Sequence, residues 1–200
     1  MRYAAKWPQY AKWWDSMKIK ASREAEFNGY AKQLLEHKAK YQEIESLTGV
    51  PWHLSAVIHL RESEATVKGE ASYNFNTYLG NGQPLKRRTT LVPKNRGPFL
   101  GPNAFVDGAV DALKQDDLTN VKDWRLEKEL YNTEIFNGTG YDGKGLPSPY
   151  VWGGTNIQQP GKYVADGKFN RKVWDTQPGT APILFTLAKL DPTIQFVRET

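Results

Sequence analysis

The sequence predicts an α+β fold, mainly α, with one small β-hairpin. Apolar residues recur at helical spacing along most of the 200 residues. One strong turn signal, Leu79-Gly-Asn-Gly82, has alternating runs on both sides. No internal repeat or low-complexity tract competes with these two patterns. A chain of this length suits one domain, or a domain with a small lobe, and can bury a core without staples. The expected organisation is a helical extension over residues 1–49, packed on one compact unit of residues 50–200.

Residues 8–20 and 22–47 read as helices. Ser22 is placed as an N-cap, with Glu24 and Glu26 in the first turn, where negative charge suits the helix dipole. Tyr30, Leu34, Tyr41 and Ile44 form an apolar stripe, and Thr48-Gly49 reads as a stop with glycine at the C-cap. Pro51 opens the next helix. Trp52, Leu54, Ala56, Val57, Ile58 and Leu60 follow, apolar on nearly all sides, so this helix is expected to be buried and to end at 61–63. Residues 64–73 have no period and read as a loop. The hairpin spans 74–92, its second side ending in Arg88-Thr-Thr-Leu-Val92, and 93–102 is a Gly/Pro loop. Helices follow at 103–114 and from Trp124 to a stop at Asn137-Gly138. Residues 139–159 are irregular, and a long loop inside a compact domain is more often functional than idle. A last helix covers 180–190.

Composition narrows the chemistry. Cysteine is absent, which removes disulfides, thiolate metal sites and a thiol nucleophile. His37, His53 and His59 lack the spacing of a metal cluster, and the glycines of 138–145 lack that of a phosphate loop, so neither metal nor cofactor is expected. No run of about 18 apolar residues occurs, so no segment is expected to insert in a membrane. The start, Met1-Arg-Tyr-Ala-Ala-Lys-Trp-Pro8, has no apolar signal-peptide core, which points to the cytoplasm of the producing cell. A net charge of +5 favours anionic partners such as bacterial cell wall. Nucleic acid is not expected, because no helix carries a Lys/Arg stripe. Seven Trp and ten Tyr, many in Gly/Pro/Asn-rich segments, suit either sugar stacking or the packing of loops onto a core.

Glu62 is the candidate general acid. It follows an apolar helix, which supplies desolvation, and it sits at the negative end of the helix dipole; both favour a protonated carboxyl. Cleavage of a glycosidic bond needs such a proton donor. The competing reading is a solvated helix-end glutamate. Glu64 would face away from Glu62 on a continuing helix, Glu134 is expected as an exposed helical residue, and His59 as a satisfied core histidine.

The helix ending in Arg61-Glu62-Ser63 resembles the Glu-Ser signature of the lysozyme superfamily, particularly goose-type lysozymes and soluble lytic transglycosylases. Leu130-Tyr-Asn-Thr-Glu-Ile-Phe-Asn-Gly-Thr-Gly-Tyr141 resembles their Ala-Tyr-Asn-Ala-Gly motif. The order from Val57 to Pro93, then Phe136-Asn-Gly-Thr-Gly-Tyr141, Ser148-Pro-Tyr-Val-Trp152 and Gly161-Lys-Tyr-Val-Ala-Asp166-Gly167, is similar to phage and bacterial lysozyme-like wall proteins over residues 50–190. The resemblance implies a lysozyme-like fold with the hairpin beside the catalytic helix. It implies an endolysin-like muramidase acting on peptidoglycan, as a monomer, with Glu62 as the acid. Release to the wall would come at phage lysis, or from a virion. Substrate contacts are assigned to Ser63, Thr90, Asn137, Tyr141, Tyr150 and Trp152.

The pattern also departs from the family. The Gly-Leu-Met-Gln hairpin motif of the transglycosylases is replaced by Tyr78-Leu-Gly-Asn-Gly-Gln83, and residues 74–92 contain neither Asp nor Glu. No second carboxylate is assigned, although Glu64 and Glu70 lie in the preceding loop. Thr77, Thr89 and Thr90 are available to hold a water. Inversion with a positioned water, retention assisted by the substrate N-acetyl group and release of an anhydro-sugar stay open, with hydrolysis preferred. A non-catalytic wall-binding or tail protein and a chitinase-like enzyme are the rival readings. Lys86-Arg87-Arg88 reads either as a contact for an anionic peptide stem or wall polymer, or as a solvated strand edge.

Overall fold

The described residues of this computed structural model are 3–64, 75–165 and 167–200, with Glu64 described in its backbone alone. They form α1 (Tyr3–Ser16), α2 (Glu24–Glu36), α3 (Lys38–Thr48), α4 (Trp52–Glu64), α5 (Ala104–Gln115), α6 (Leu126–Asn137), α7 (Pro149–Trp152) and α8 (Thr180–Leu190), with strands β1 (Lys162–Ala165) and β2 (Lys168–Asn170). The chain is therefore α+β and mainly α. Of the loop expected at 64–73, Glu64 instead ends α4; residues 65–73, including Glu70, and the side chain of Glu64 lie outside the described residues, as does Asp166.

Several boundaries differ from expectation. Pro8 sits inside α1 rather than opening it, and α1 ends at Ser16. Ser22 lies in a 3-10 turn (Ala21–Arg23) whose N-cap is Lys20, and α2 starts only at Glu24. The helix expected over 22–47 is two helices, parted at His37, which leaves helical geometry (φ −111°, ψ 15°). The apolar stripe runs through this break in register, with Phe27, Ala31 and Leu34 buried on α2 and Tyr41, Ile44 and Thr48 on α3, so periodicity does not reveal it. The paired strands are not at 74–92. They lie at 162–170, antiparallel, with Tyr163 opposite Phe169. Residues 75–85 form a turn closed by one bridge, Thr77 to Pro84, and the expected second strand is a loop. Pro84 has no N–H to extend a ladder.

The chain separates into two compact units, Met1–Lys32 with Arg125–Thr200, and Gln33–Trp124. In the first, α6 packs against α1, α7 and α8. Trp152 is fully enclosed, stacked on Tyr10 at 6.3 Å and met edge-on by Trp13 at 5.5 Å. Gly153 and Gly179 let two backbones touch: the Gly179 N–H donates to the Gly153 carbonyl at 2.9 Å, and a Cβ on Gly179 would lie 2.4 Å from the Gly153 nitrogen. Gly179 caps α8, where the sequence places the helix start.

In the second unit, α3 packs on α4 and α5. Residue 49, the expected domain boundary, lies inside this unit. Gly49 there closes α3 in the left-handed region (φ 73°), donating to the Glu45 carbonyl at 2.7 Å. α4 is buried along its length, as its all-round apolar face predicts. His59 is a core histidine, bonded through Nδ1 to the Tyr41 hydroxyl at 2.8 Å and packed on Phe105 at 4.5 Å. Burial of a polar ring is tolerated because it has a partner.

Candidate functional site

α4 carries Glu62 to its last turn. Its neighbours Arg61 and Ser63 are 5% and 1% exposed, and the Ser63 hydroxyl donates back to the Leu60 carbonyl at 3.2 Å. Glu62 itself is half-buried. The carboxyl-bearing position is thus more open than either neighbour, while the helix behind it is apolar and enclosed. Ser63 acts on its own helix, as a hydroxyl near a helix end commonly does.

The 75–99 segment belongs to the same unit and is cross-braced. The Tyr78 N–H donates to the Gln83 carbonyl at 2.7 Å, and the Leu85 N–H to Asn76 at 2.8 Å. Tyr78 stacks on Phe99 at 5.7 Å and donates its hydroxyl to Asp111 at 2.8 Å. Arg96 grips both oxygens of Asp111. Burial pushes the Asp111 carboxyl up, but the hydrogen bonds from Arg96 and Tyr78 and the nearby positive charges outweigh it, and its pKa is lowered. Gln83 fixes the candidate residue Thr90, its amide donating to Thr90 Oγ1 at 2.9 Å and its carbonyl accepting from the Thr90 N–H at 2.7 Å. Thr90 remains exposed, whereas Thr89 is buried, its hydroxyl spent on the Pro93 carbonyl and the Arg96 N–H.

Asn137, Tyr141, Tyr150 and Trp152 lie in the other unit. Asn137 ends α6 and is exposed. Tyr150 and Trp152 are enclosed in α7, and Tyr141 is buried edge-on against Tyr163 at 5.3 Å and Phe169 at 6.0 Å. The packing of these three rings is that of anchors which hold the 139–159 loop to the core. That loop is less irregular than expected, containing a 3-10 turn at Asp142–Lys144 as well as α7.

Sequence reasoning missed one cluster of this first unit. Glu134, expected exposed, is buried and accepts the Tyr10 hydroxyl at 2.5 Å. Asp142, ion-paired with Lys6, lines the same small cavity along with Trp13 and Leu146. Burial raises the Glu134 pKa; the Tyr10 bond lowers it in part, and the charge of Asp142 raises it further. A buried carboxyl with a raised pKa beside a second carboxyl is a feature found at acid–base sites. This cavity, however, holds about 20 Å3, room for a water rather than a sugar ring. A signal was present: Glu127 and Glu134 are seven apart, on one helix face with Leu130, and both are buried.

No family model, curated protein or solved structure matches the chain. Among the described residues no cluster of His, Asp and Glu is placed to hold a metal ion, and no helix is long and apolar enough to cross a membrane.

Proposed function

We propose that this protein cleaves the glycan strand of peptidoglycan, with Glu62 as general acid. The observation that carries the reading is the placement of Glu62: half-buried, at the end of an enclosed apolar helix, between two buried neighbours. A general acid needs shelter from bulk water and access to the substrate oxygen; the enclosed apolar helix behind Glu62 supports the first and its partial exposure supports the second. The resemblance of Arg61-Glu62-Ser63 to the Glu-Ser signature supports the same assignment. A mainly helical chain with a small β element is compatible with a lysozyme-like fold, and the net charge of +5 suits an anionic polymer. Thr90, exposed in the same unit as Glu62, is the side chain assigned to substrate. Thr90 also carries the proposed role of holding a water: its hydroxyl accepts from the Gln83 amide and keeps its own proton to donate, whereas the Thr89 hydroxyl both donates and accepts within the loop. The proposed site of action is the bacterial cell wall, reached on release from the producing cell, with the monomer as the working form.

Hydrolysis is the preferred reaction. A lytic transglycosylase would use the same single acid, and the absence of Asp and Glu from residues 75–106 suits a reaction that needs no second carboxylate. Clearing of purified peptidoglycan by the wild-type chain and by Glu62→Gln, with mass analysis of the released sugars, tests both. Clearing by wild type alone with reducing N-acetylmuramyl ends supports a muramidase, and anhydro ends support a transglycosylase. Equal clearing by both proteins removes Glu62 from the mechanism. Wall binding with no clearing by either leaves a non-catalytic wall-binding protein.

A further inference from the structure

We propose that the loop of residues 86–94 docks on an anionic lipid bilayer, with Leu91 and Val92 entering the headgroup region and Lys86, Arg87, Arg88 and Lys94 lying over lipid phosphates. The starting observation is a pair of adjacent aliphatic side chains in water. Leu91 is 57% exposed and Val92 79%. Scattered exposed aliphatics are ordinary, but two in succession at the tip of a braced loop are not an accident of slack chain.

The bracing is extensive. The Thr89 N–H donates to the Arg96 carbonyl at 3.0 Å and the Asn95 N–H to the Thr89 carbonyl at 2.8 Å, which closes the loop at its neck. The Arg96 N–H adds a bond to Thr89 Oγ1 at 3.0 Å. On the flank, the Gln83 side-chain carbonyl accepts from the N–H groups of Thr90 at 2.7 Å and Leu91 at 3.0 Å. The Asn81 amide reaches the Leu91 carbonyl at 3.3 Å. The backbone of the tip is thus braced from within the unit at Thr89, Thr90, Leu91 and Asn95, while its two apolar side chains are exposed. A surface organised before contact loses little entropy when it binds.

Charge decides the kind of partner. Lys86, Arg87, Arg88 and Lys94 are exposed on either side of the aliphatic pair. Residues 75–106 contain no Asp or Glu, and Arg96, the remaining cation there, is neutralised by Asp111. The local field is therefore of one sign. Cations alone would serve a hydrated polyanion such as a wall polymer. Leu91 and Val92 gain nothing from a hydrated chain, whereas at a bilayer interface they leave water while the cations meet phosphate. The combination selects a lipid surface, approached from one side without insertion of a helix. The inference does not rest on the proposed glycan chemistry.

Sedimentation of the full chain with vesicles of phosphatidylcholine, and of phosphatidylcholine mixed with phosphatidylglycerol, tests it. Neither vesicle contains glycan, so failure here leaves the wall-cleavage reading untouched, and failure of that reading leaves this one untouched. Partitioning is expected only on the anionic vesicles, and to weaken with salt. Lys86→Ser/Arg87→Ser/Arg88→Ser should weaken it roughly 100-fold, from about fivefold per cation at such a surface. Leu91→Ser/Val92→Ser should weaken it at least about tenfold at unchanged charge. Unchanged circular dichroism and melting temperature establish that each variant is folded. Equal partitioning on both vesicles overturns the proposal. So does anionic binding that Leu91→Ser/Val92→Ser leaves intact, which would mark a polyanion site. Lipid-independent self-association abolished by that double variant would assign the tip to a second copy of the chain instead.

Discussion

Tyr10 on α1 donates its hydroxyl to Glu134 on α6 at 2.5 Å, inside the core of the first unit. The bond joins two helices far apart in sequence and leaves a carboxyl in a desolvated place. Its pKa stands above the ordinary glutamate value, chiefly because burial penalises the charged form. Between the unfolded and folded values the folded chain binds more protons, so the contribution of Glu134 to stability falls as pH rises through that window and then levels off. Glu134→Gln keeps the shape and removes the titration. The melting temperature of the variant relative to wild type is expected to climb as pH is raised from about 4 upward. A constant difference across the series would mean that Glu134 does not titrate in this way.

Tyr10→Phe isolates the bond itself. It leaves Glu134 buried without its donor, and such a group costs about 1–3 kcal/mol. The same desolvation holds the Tyr10 hydroxyl far above its ordinary pKa, so it stays a donor throughout. The loss should be larger at neutral pH than in acid, since an ionised carboxylate depends on its donor more than a protonated one does. Urea unfolding at two pH values measures it. An equal loss at both would show that Glu134 is in the same protonation state in both.

These two residues also mark the limit of what the sequence discloses. Caps are local chemistry, so Gly49, Pro51 and Gly179 are legible as stops and starts. The burial of α4 is legible because apolar residues surround it. The break at His37 is not, because the stripe continues through it. The β1–β2 hairpin had a signal in Asp166-Gly167 between two short apolar runs, the pairing that favours a tight turn. The turn at Leu79–Gly82 carried a similar signal and closed only one bridge, because Pro84 cannot donate and the chain beyond it is held by side chains of Asn81 and Gln83. At the candidate site, the placement of Glu62 follows from helix length alone. The burial of Glu134 is only partly local: Leu130 and Glu127 share its helix face, but the partner that satisfies it, Tyr10, lies more than a hundred residues earlier.

Asp111 ties the 75–99 segment to α5 through Arg96 and Tyr78. Its folded-state pKa is lowered, so the stability it contributes is fully present above the unfolded value, near 4, and is lost as pH falls through the folded value. Asp111→Asn removes the charge that Arg96 meets. A cost of about 1–2 kcal/mol is expected at neutral pH, less than for an enclosed pair because Arg96 keeps solvent contact. The difference from wild type should shrink in acid. Chemical denaturation at neutral and acid pH checks both the size and the sign.

Gly49 tests a prediction made from local chemistry. An added Cβ would meet nothing within 4 Å, so Gly49→Ala introduces no clash. The backbone is nevertheless left-handed there, at φ 73°, which an L side chain adopts at a cost of about 1 kcal/mol. A lower melting temperature is therefore expected without loss of the folded state. Unchanged stability would mean that the end of α3 can relax out of the left-handed cap.

Gln83 bears on the candidate site and on the exposed tip together. Its carbonyl accepts from the N–H groups of both Thr90 and Leu91, and its amide donates to the Thr90 hydroxyl. Gln83→Ala removes all three bonds and leaves the core alone, since Gln83 lies at the surface of the turn. Amide hydrogen exchange at Thr90 and Leu91 should quicken by about fivefold to tenfold, the equivalent of one ordinary hydrogen bond each, with the protection of α4 unaltered. Peptidoglycan clearing should fall with it if Thr90 positions a water, because a hydroxyl freed from its brace no longer holds one direction. Faster exchange with clearing unchanged would remove Thr90 from the reaction and leave Gln83 as a support for the loop alone.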